Sequence, residues 1–308
     1  MDNLINFKKR LGVLVTVLLC CFSTNIAQAG DIVEEWNFNT WAEFSDPTWT
    51  GGGGTTSGSD FELSWGADDG DITNDFLNAG LGPNDSRSAL TIGDGPSGSN
   101  RYGGGIVSNT VETIIGGDPG TVGVGISATH WNNTLSGSFS TLTGATLTNF
   151  LKLDALVPDT GGFEDAPTIG IDFKFQETTN NPGSGTCLDG SPSASYTGGC
   201  PDIFGFNGDL TIGIPFAYDG NLYNINILVF NDMGVATPFS VLDDGYCTAL
   251  GLVNGCSGLI TNEQMHTTFQ FGFNISHERA ITVPEPSSIF LLAIAMIALG
   301  ARKAKFKV

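Results

Sequence analysis

Three histidines, His130, His266 and His277, and the tetrad Thr129-His130-Trp131-Asn132 around the first of them are the residues whose types and spacing could do chemistry. An imidazole beside an indole and two amides can bind a sugar: Trp131 offers a face for stacking, while Asn132 and Asn133 can hydrogen-bond hydroxyls. The same residues have a plainer use, which is preferred. Thr129 and Asn132 can fold back onto the backbone and fix a turn, with His130 tying down a loop. Strand alternation puts His130 and Asn132 on one face and Thr129 and Trp131 on the other, so a single site using all four requires a turn.

Nothing frames these groups as catalytic. The chain has no Gly-x-Ser-x-Gly elbow, no His-Glu-x-x-His helix and no phosphate-binding loop. Carboxylate pairs suited to glycoside hydrolysis occur in any chain with this many acids, so their presence carries no weight. No catalytic residue and no enzymatic activity are expected. Asp68-Asp69-Gly70-Asp71, with Asp75 nearby, has the flavour of a calcium loop but lacks the spaced ligands and bidentate Glu of an EF-hand. A solvated acidic loop is the preferred reading, calcium the lesser one, and no cofactor is expected.

The two ends of the chain differ from its interior. Lys8-Lys9-Arg10, an apolar run from Leu11 to Ser23 and the small residues of Ala27-Gln28-Ala29 read as a secretory signal peptide over residues 1–29, cut after Ala29 by signal peptidase. At the other end, residues 283–308 combine Val283-Pro284-Glu285-Pro286, an apolar stretch from Ile289 to Ala301, and the cations Arg302, Lys303, Lys305 and Lys307. Proline keeps the first part out of helix, and the basic terminus favours the cytoplasmic side of a short membrane helix. The ends also distort the charge. The whole chain has 12 basic and 32 acidic residues; three cations and one acid precede Gly30, and four cations and one acid follow Val283. The body therefore carries only Arg87, Arg101, Lys152, Lys174 and Arg279 against 30 acids, a balance of −25. Such a surface excludes nucleic acid as a partner and leaves most carboxylates to be solvated or bound to divalent cations.

Four cysteines remain in the body, in two close pairs, and of the three possible connectivities Cys187 with Cys200 and Cys247 with Cys256 is favoured. Each closure suits an oxidising compartment and stabilises by about 2–3 kcal/mol. A four-thiolate zinc site is disfavoured because no Cys-x-x-Cys spacing is present.

The elements that must position these residues read as strands. Ile169, Ile171, Phe173 and Phe175 alternate with Gly170, Asp172 and Lys174, and Phe269, Phe271, Phe273 and Ile275 repeat the pattern. Leu210 to Phe216 and Leu222 to Phe230 flank Tyr218-Asp219-Gly220-Asn221, a hairpin signal because Asp-Gly accepts positive φ. Other Asp-Gly steps begin at Asp69, Asp94, Asp189 and Asp244 and read as turns. Gly51 to Gly54 and Gly93 to Gly105 read as loose loops. With no long helical period outside the ends, a single all-β domain over residues 30–282 is predicted, a sandwich or jelly-roll-like fold with disulfide-stapled loops.

Val283-Pro284-Glu285-Pro286 followed by the apolar run and basic tail resembles the PEP-CTERM sorting signal. That resemblance implies recognition by an exosortase-type membrane protease, transient anchoring in the inner membrane, and residence in the cell envelope or extracellular matrix of a Gram-negative, biofilm- or exopolysaccharide-producing bacterium. Thr129-His130-Trp131-Asn132 matches the signature of the THxN family of PEP-CTERM proteins. Leu63-Ser64-Trp65-Gly66, Phe175-Gln176-Glu177-Thr178-Thr179-Asn180, Cys200-Pro201-Asp202-Ile203-Phe204 and Thr267-Thr268-Phe269-Gln270-Phe271-Gly272-Phe273 also resemble that family. The family implies no established activity. Two roles stay open: a structural matrix protein, or a carbohydrate-binding module using Trp131 and Trp36, Trp41, Trp49 or Trp65 as platforms. Burial of the tryptophans favours the first, an exposed row the second.

Overall fold

The computed structural model describes residues 30–68, 85–93, 104–116, 120–159, 161–178, 180, 185–196, 198–207, 213–230 and 240–277. The signal peptide, the sorting segment at 283–308 and the acidic run beyond Asp68 lie outside these residues.

The first strands are β1 (Glu35–Trp49), β2 (Thr55–Gly58), β3 (Glu62–Gly66), β4 (Arg87–Gly93), β5 (Val107–Ile114) and β6 (Gly123–Asn132). They are followed by β7 (Leu142–Val157), β8 (Glu164–Asp165), β9 (Ile169–Gln176), β10 (Asp202–Phe206), β11 (Gly213–Tyr218) and β12 (Asn221–Phe230). Then come β13 (Ser240–Val241), the short helix α1 (Asp244–Ala249), β14 (Ser257–Thr261) and β15 (Met265–His277). The chain is predominantly β with two disulfides, and among the described residues no helix is long and apolar enough to cross a membrane.

The strands form two antiparallel halves. One runs β13-β14-β10-β9-β7-β1-β5, and the other runs β12-β15-β6-β4-β3-β2 with β11 added to β12. They join at a parallel seam where Thr113 of β5 lies opposite Ile275 of β15. Period-two patterning decides which way each strand faces. In β9, Ile171, Phe173 and Phe175 are buried while Gly170, Asp172 and Lys174 are exposed. Phe44, Leu147, Phe173 and Phe204 from the first half meet Trp65, Leu90, Ala128 and Phe271 from the second in one core. Full burial of each large apolar side chain contributes about 1.5–3 kcal/mol. A second cluster sits near the seam, where Trp36, Phe38 and Leu153 pack with Tyr223, Phe273 and Ile275.

The Asp219-Gly220 hairpin forms, both residues taking positive φ (46° and 79°), with Tyr218 opposite Asn221. Two other readings need correction. Asp244-Gly245 is not a turn but the start of α1, where Gly245 lets the carbonyl of Leu188 approach so closely that a Cβ would lie 2.8 Å from it. Gly51 to Gly54 is not loose either. Gly53 donates to Ser138 and accepts from Ser140 at 2.8 and 2.9 Å, and a Cβ on Gly52 would lie 2.6 Å from the backbone of Ser140. Gly52 and Gly54 are there for close approach of two backbones.

Candidate functional site: a buried carboxylate cluster

Thr129, His130, Trp131 and Asn132 are the last four residues of β6, and no turn gathers them. Alternation splits them into two pairs. On one face Thr129 hydrogen-bonds the Thr268 hydroxyl at 3.0 Å, and Trp131 donates its indole N–H to Thr91 at 2.8 Å. On the other, His130 is enclosed by the rings of Trp65, Phe175 and Phe204, with centroids 5.0–5.9 Å away. Burial alone pushes its imidazole down to about 3, so the ring is neutral. Trp131 is 2% exposed, which corrects its reading as a sugar-stacking platform. Trp36 and Trp65 are fully buried as well. Trp41 and Trp49 are half-buried, Trp41 lying flat on Phe150 at 5.0 Å, so no exposed row of tryptophans exists among the described residues.

His130 and Asn132 converge on one residue of another strand. His130 Nδ1 lies 2.8 Å from the Thr261 hydroxyl, and Asn132 Nδ2 donates to the Thr261 carbonyl at 3.2 Å. Thr261 ends β14 and faces Asp202, the first residue of β10. Past Thr261 the chain turns through Gln264, which holds a positive φ of 55°, and the turn sends Glu263 into the interior, where it is completely buried. A non-glycine residue in that region costs about 1–2 kcal/mol, strain that collects at positions serving a purpose. Glu177, just beyond β9, completes the set. Oxygens of Glu177, Asp202 and Glu263 all lie within 4.8 Å of one another.

Few donors answer these oxygens. Glu177 accepts from the Trp65 indole at 3.1 Å and from Asn180 Nδ2 at 3.2 Å. Asp202 Oδ1 accepts the backbone N–H of Thr178 at 2.8 Å. Asp202 Oδ2, both Glu263 oxygens, Asn132 Oδ1 and Asn180 Oδ1 are buried without a partner of hydrogen-bond geometry. The electrostatics are correspondingly lopsided. Burial pushes the Glu177 carboxyl up to about 7, against the opposing hydrogen bonds of Trp65 and Asn180. Burial and the charge of Glu177 hold Asp202 well above its ordinary range, and burial with the charges of Asp202 and Glu177 does the same to Glu263. Arg87, the arginine of the described residues, spends its guanidinium on Ser64 and on the carbonyls of Thr55 and Ala67. Three carboxyls in a low-dielectric pocket must hold protons or share a cation.

The Cys187–Cys200 disulfide forms, as does Cys247–Cys256. The first has a role in the cluster: Gly198, two residues before Cys200, sits so close to Glu263 that a Cβ there would lie 2.6 Å from the Glu263 Cβ. The second fastens α1 over Ile203 and Leu250 on the far side of β10. A groove of about 840 Å³, bordered by Glu177, Asn180, Leu135, Phe139, Cys187 and Cys200, runs past the cluster.

Sequence reasoning missed this site. Glu177 and Asp202 lie in segments that resemble the THxN family, and Glu263 lies in none of them. The available signal was position: Glu177 closes the apolar run of β9 and Asp202 opens that of β10, so both sit where a strand end points into the core.

Residues 282–304 match the PEP-CTERM protein-sorting motif. The chain carries a PEP-CTERM sorting signal. Such a signal implies processing by exosortase, a membrane protease, and points to an exported protein of the cell envelope. No curated protein matches the chain.

Proposed function

We propose that this chain is a structural constituent of the cell envelope or extracellular matrix of a Gram-negative bacterium, built on a THxN-type domain and retained in exopolysaccharide or biofilm. Signal peptidase cuts after Ala29, the stretch from Ile289 to Ala301 holds the chain transiently in the inner membrane, and exosortase acts at Val283-Pro284-Glu285-Pro286. The observation that carries the reading is the sorting motif at 282–304 attached to an acidic, disulfide-stapled β body. Extracellular polymer is an oxidising setting that suits disulfides and a strongly hydrated acidic surface. Burial of Trp36, Trp65 and Trp131 removes three of the five tryptophans offered to the carbohydrate-binding alternative, and Trp41 and Trp49 are half-buried.

The test is to express the full chain in an exosortase-competent strain and in the same strain lacking exosortase. The competent strain should yield a chain shortened at its C-terminus and recovered from the matrix, whereas the deficient strain should hold it at the membrane. Identical mass and location in both strains would remove the sorting proposal, and release of all of it as free soluble protein would remove the matrix role.

A further inference from the structure

We infer that Glu177, Asp202 and Glu263, with the side-chain oxygen of Asn132, form a buried calcium site that ties together the ends of β6, β9, β10 and β14. The inference stands on the interior of the domain and does not depend on the matrix role proposed above.

Three observations carry it. The first is spacing: oxygens bound to one calcium ion at about 2.3–2.6 Å lie at most about 5 Å apart, and the three carboxylates approach one another within 4.8 Å. The second is independent of the acids. Asn132 is fully buried against Glu263, its amide N–H group serves the Thr261 carbonyl and favours the charged Glu263 carboxylate, and its Oδ1 is left with no partner. An amide oxygen can only accept, so it is answered by a proton held on a neighbouring acid or by a cation, and a single cation answers it and all three acids together. Third, the available donors are oxygen throughout. His130 is not among the atoms that converge: its Nδ1 is held by Thr261, and its Nε2 is buried without a partner. An all-oxygen set of three carboxylates and an amide selects a hard cation, and calcium over magnesium, since magnesium keeps several waters and is seldom held by a cage of protein oxygens alone.

The positioning residues explain the shape of the site. His130 and Asn132 hold Thr261 from the inside, the left-handed Gln264 swings Glu263 inward, and Gly198 lets the disulfide loop close against it. Glu177 borders the groove, which gives the ion a way in. Thus the tetrad at the end of β6 acts through β14: Asn132 supplies a ligand, and His130 sets the strand that carries another.

Terbium, which takes calcium sites and emits when a nearby indole is excited, is the direct probe, because the Trp65 indole lies 3.1 Å from Glu177. The full chain, with disulfides intact and stripped by EDTA, should show tryptophan-sensitised terbium emission that calcium displaces with a midpoint of roughly 0.1–1 mM, the range of extracellular calcium modules. Magnesium should displace it at least about tenfold more weakly. Glu263→Gln and Asp202→Asn, which keep shape and remove charge, should each weaken binding by roughly tenfold or more. A second readout needs no variant: at pH 8, 10 mM calcium should raise the melting temperature of the wild-type chain by roughly 3–10 °C over EDTA. Emission unchanged in both variants would place the ion elsewhere, for example on the acidic run at Asp68, and overturn the site. Equal displacement by magnesium would overturn the calcium assignment, and no emission or no thermal shift would overturn the inference altogether.

Discussion

The two ends of the core bury polar groups in opposite ways. Near the seam, the Trp36 indole donates to Thr113 at 2.9 Å, the Thr113 hydroxyl donates to the Val33 carbonyl at 2.7 Å, and the Tyr223 hydroxyl accepts the Val33 amide at 2.9 Å. The Trp36, Thr113 and Val33 donors each find an acceptor, and no charge is involved. At the other end Trp65 donates to Glu177, and behind that bond lie Asp202, Glu263 and Asn132 with oxygens unanswered. One tryptophan closes a neutral network and the other opens onto acids. A polar cluster that serves packing alone is completed as the first is, since an unsatisfied buried group costs about 1–3 kcal/mol; the second has the form of a cluster awaiting a ligand.

The largest effect should come from breaking the closed end. Trp36→Ala removes an indole packed edge-on against Phe216, Tyr218 and Tyr223 and leaves the Thr113 hydroxyl without its donor. A loss of about 3–5 kcal/mol is expected, read by denaturant unfolding with disulfides intact. The loss should be the same at pH 5 and pH 8 and with or without calcium, because the hydroxyl and carbonyl groups hydrogen-bonded around Trp36 stay neutral across that range. A loss that depended on calcium would erase the contrast between the two ends.

The open end should respond to pH in the opposite sense to ordinary surface carboxylates. Glu177 is raised from 4.5 to about 7, so between those values the folded chain binds a proton that the unfolded chain has released. Stability of the metal-free protein therefore falls as pH rises from about 4.5 through about 7, and Asp202 and Glu263, both raised, add to the fall. The groups acting on one another there are these three acids, His130 being neutral. Glu263→Gln removes one charge at constant shape and should stabilise the EDTA-treated protein at pH 8 by about 1–3 kcal/mol, while leaving it nearly unchanged at pH 5. In saturating calcium the sign should reverse, the variant being the less stable. Urea melts across this pH range check both; a variant no more stable than wild type at pH 8 without metal would show that Glu263 carries no buried charge to relieve.

Much of the fold was legible from residue pattern. Alternation in Ile169 to Phe175 and Phe269 to Ile275 is a local property of the strand, the Asp219-Gly220 turn is set by two residues, and close cysteine pairs leave little room for other partners. The tetrad at 129–132 reads by residue type as a turn held by Thr129 and Asn132, and the structure corrects this: all four residues lie in one strand, where alternation separates His130 from Trp131. What could not be read was the carboxylate cluster. Thirty acids in the body make any three unremarkable in sequence, and what distinguishes Glu177, Asp202 and Glu263 is desolvation, which depends on four strand ends meeting. Asp244-Gly245 fails for a related reason: it has the composition of a turn, but the Cys247–Cys256 bond and the core beneath α1 decide its conformation.

The smallest expected effect is the finest test of the contrast, because comparing the two variants isolates a single indole N–H at each end. Trp36→Phe and Trp65→Phe both keep an aromatic ring and delete the indole N–H. At the seam the deletion leaves a neutral hydroxyl that still donates to Val33, so the penalty beyond lost ring volume should be about 1 kcal/mol and independent of pH. At Glu177 the deleted bond was one that favoured the charged carboxylate. Its removal should push the Glu177 carboxyl further up, deepening the loss of metal-free stability toward pH 8 while costing little at pH 5, where the acid is protonated. Calcium should cancel most of that difference, since the ion answers the same oxygens. The measurement is the difference between the two variants' urea midpoints across pH, with and without calcium, so that the shared cost of the smaller ring drops out. Parallel pH profiles for the two variants would mean that Trp65 meets a neutral partner as Trp36 does, and the two ends of the core would then be alike.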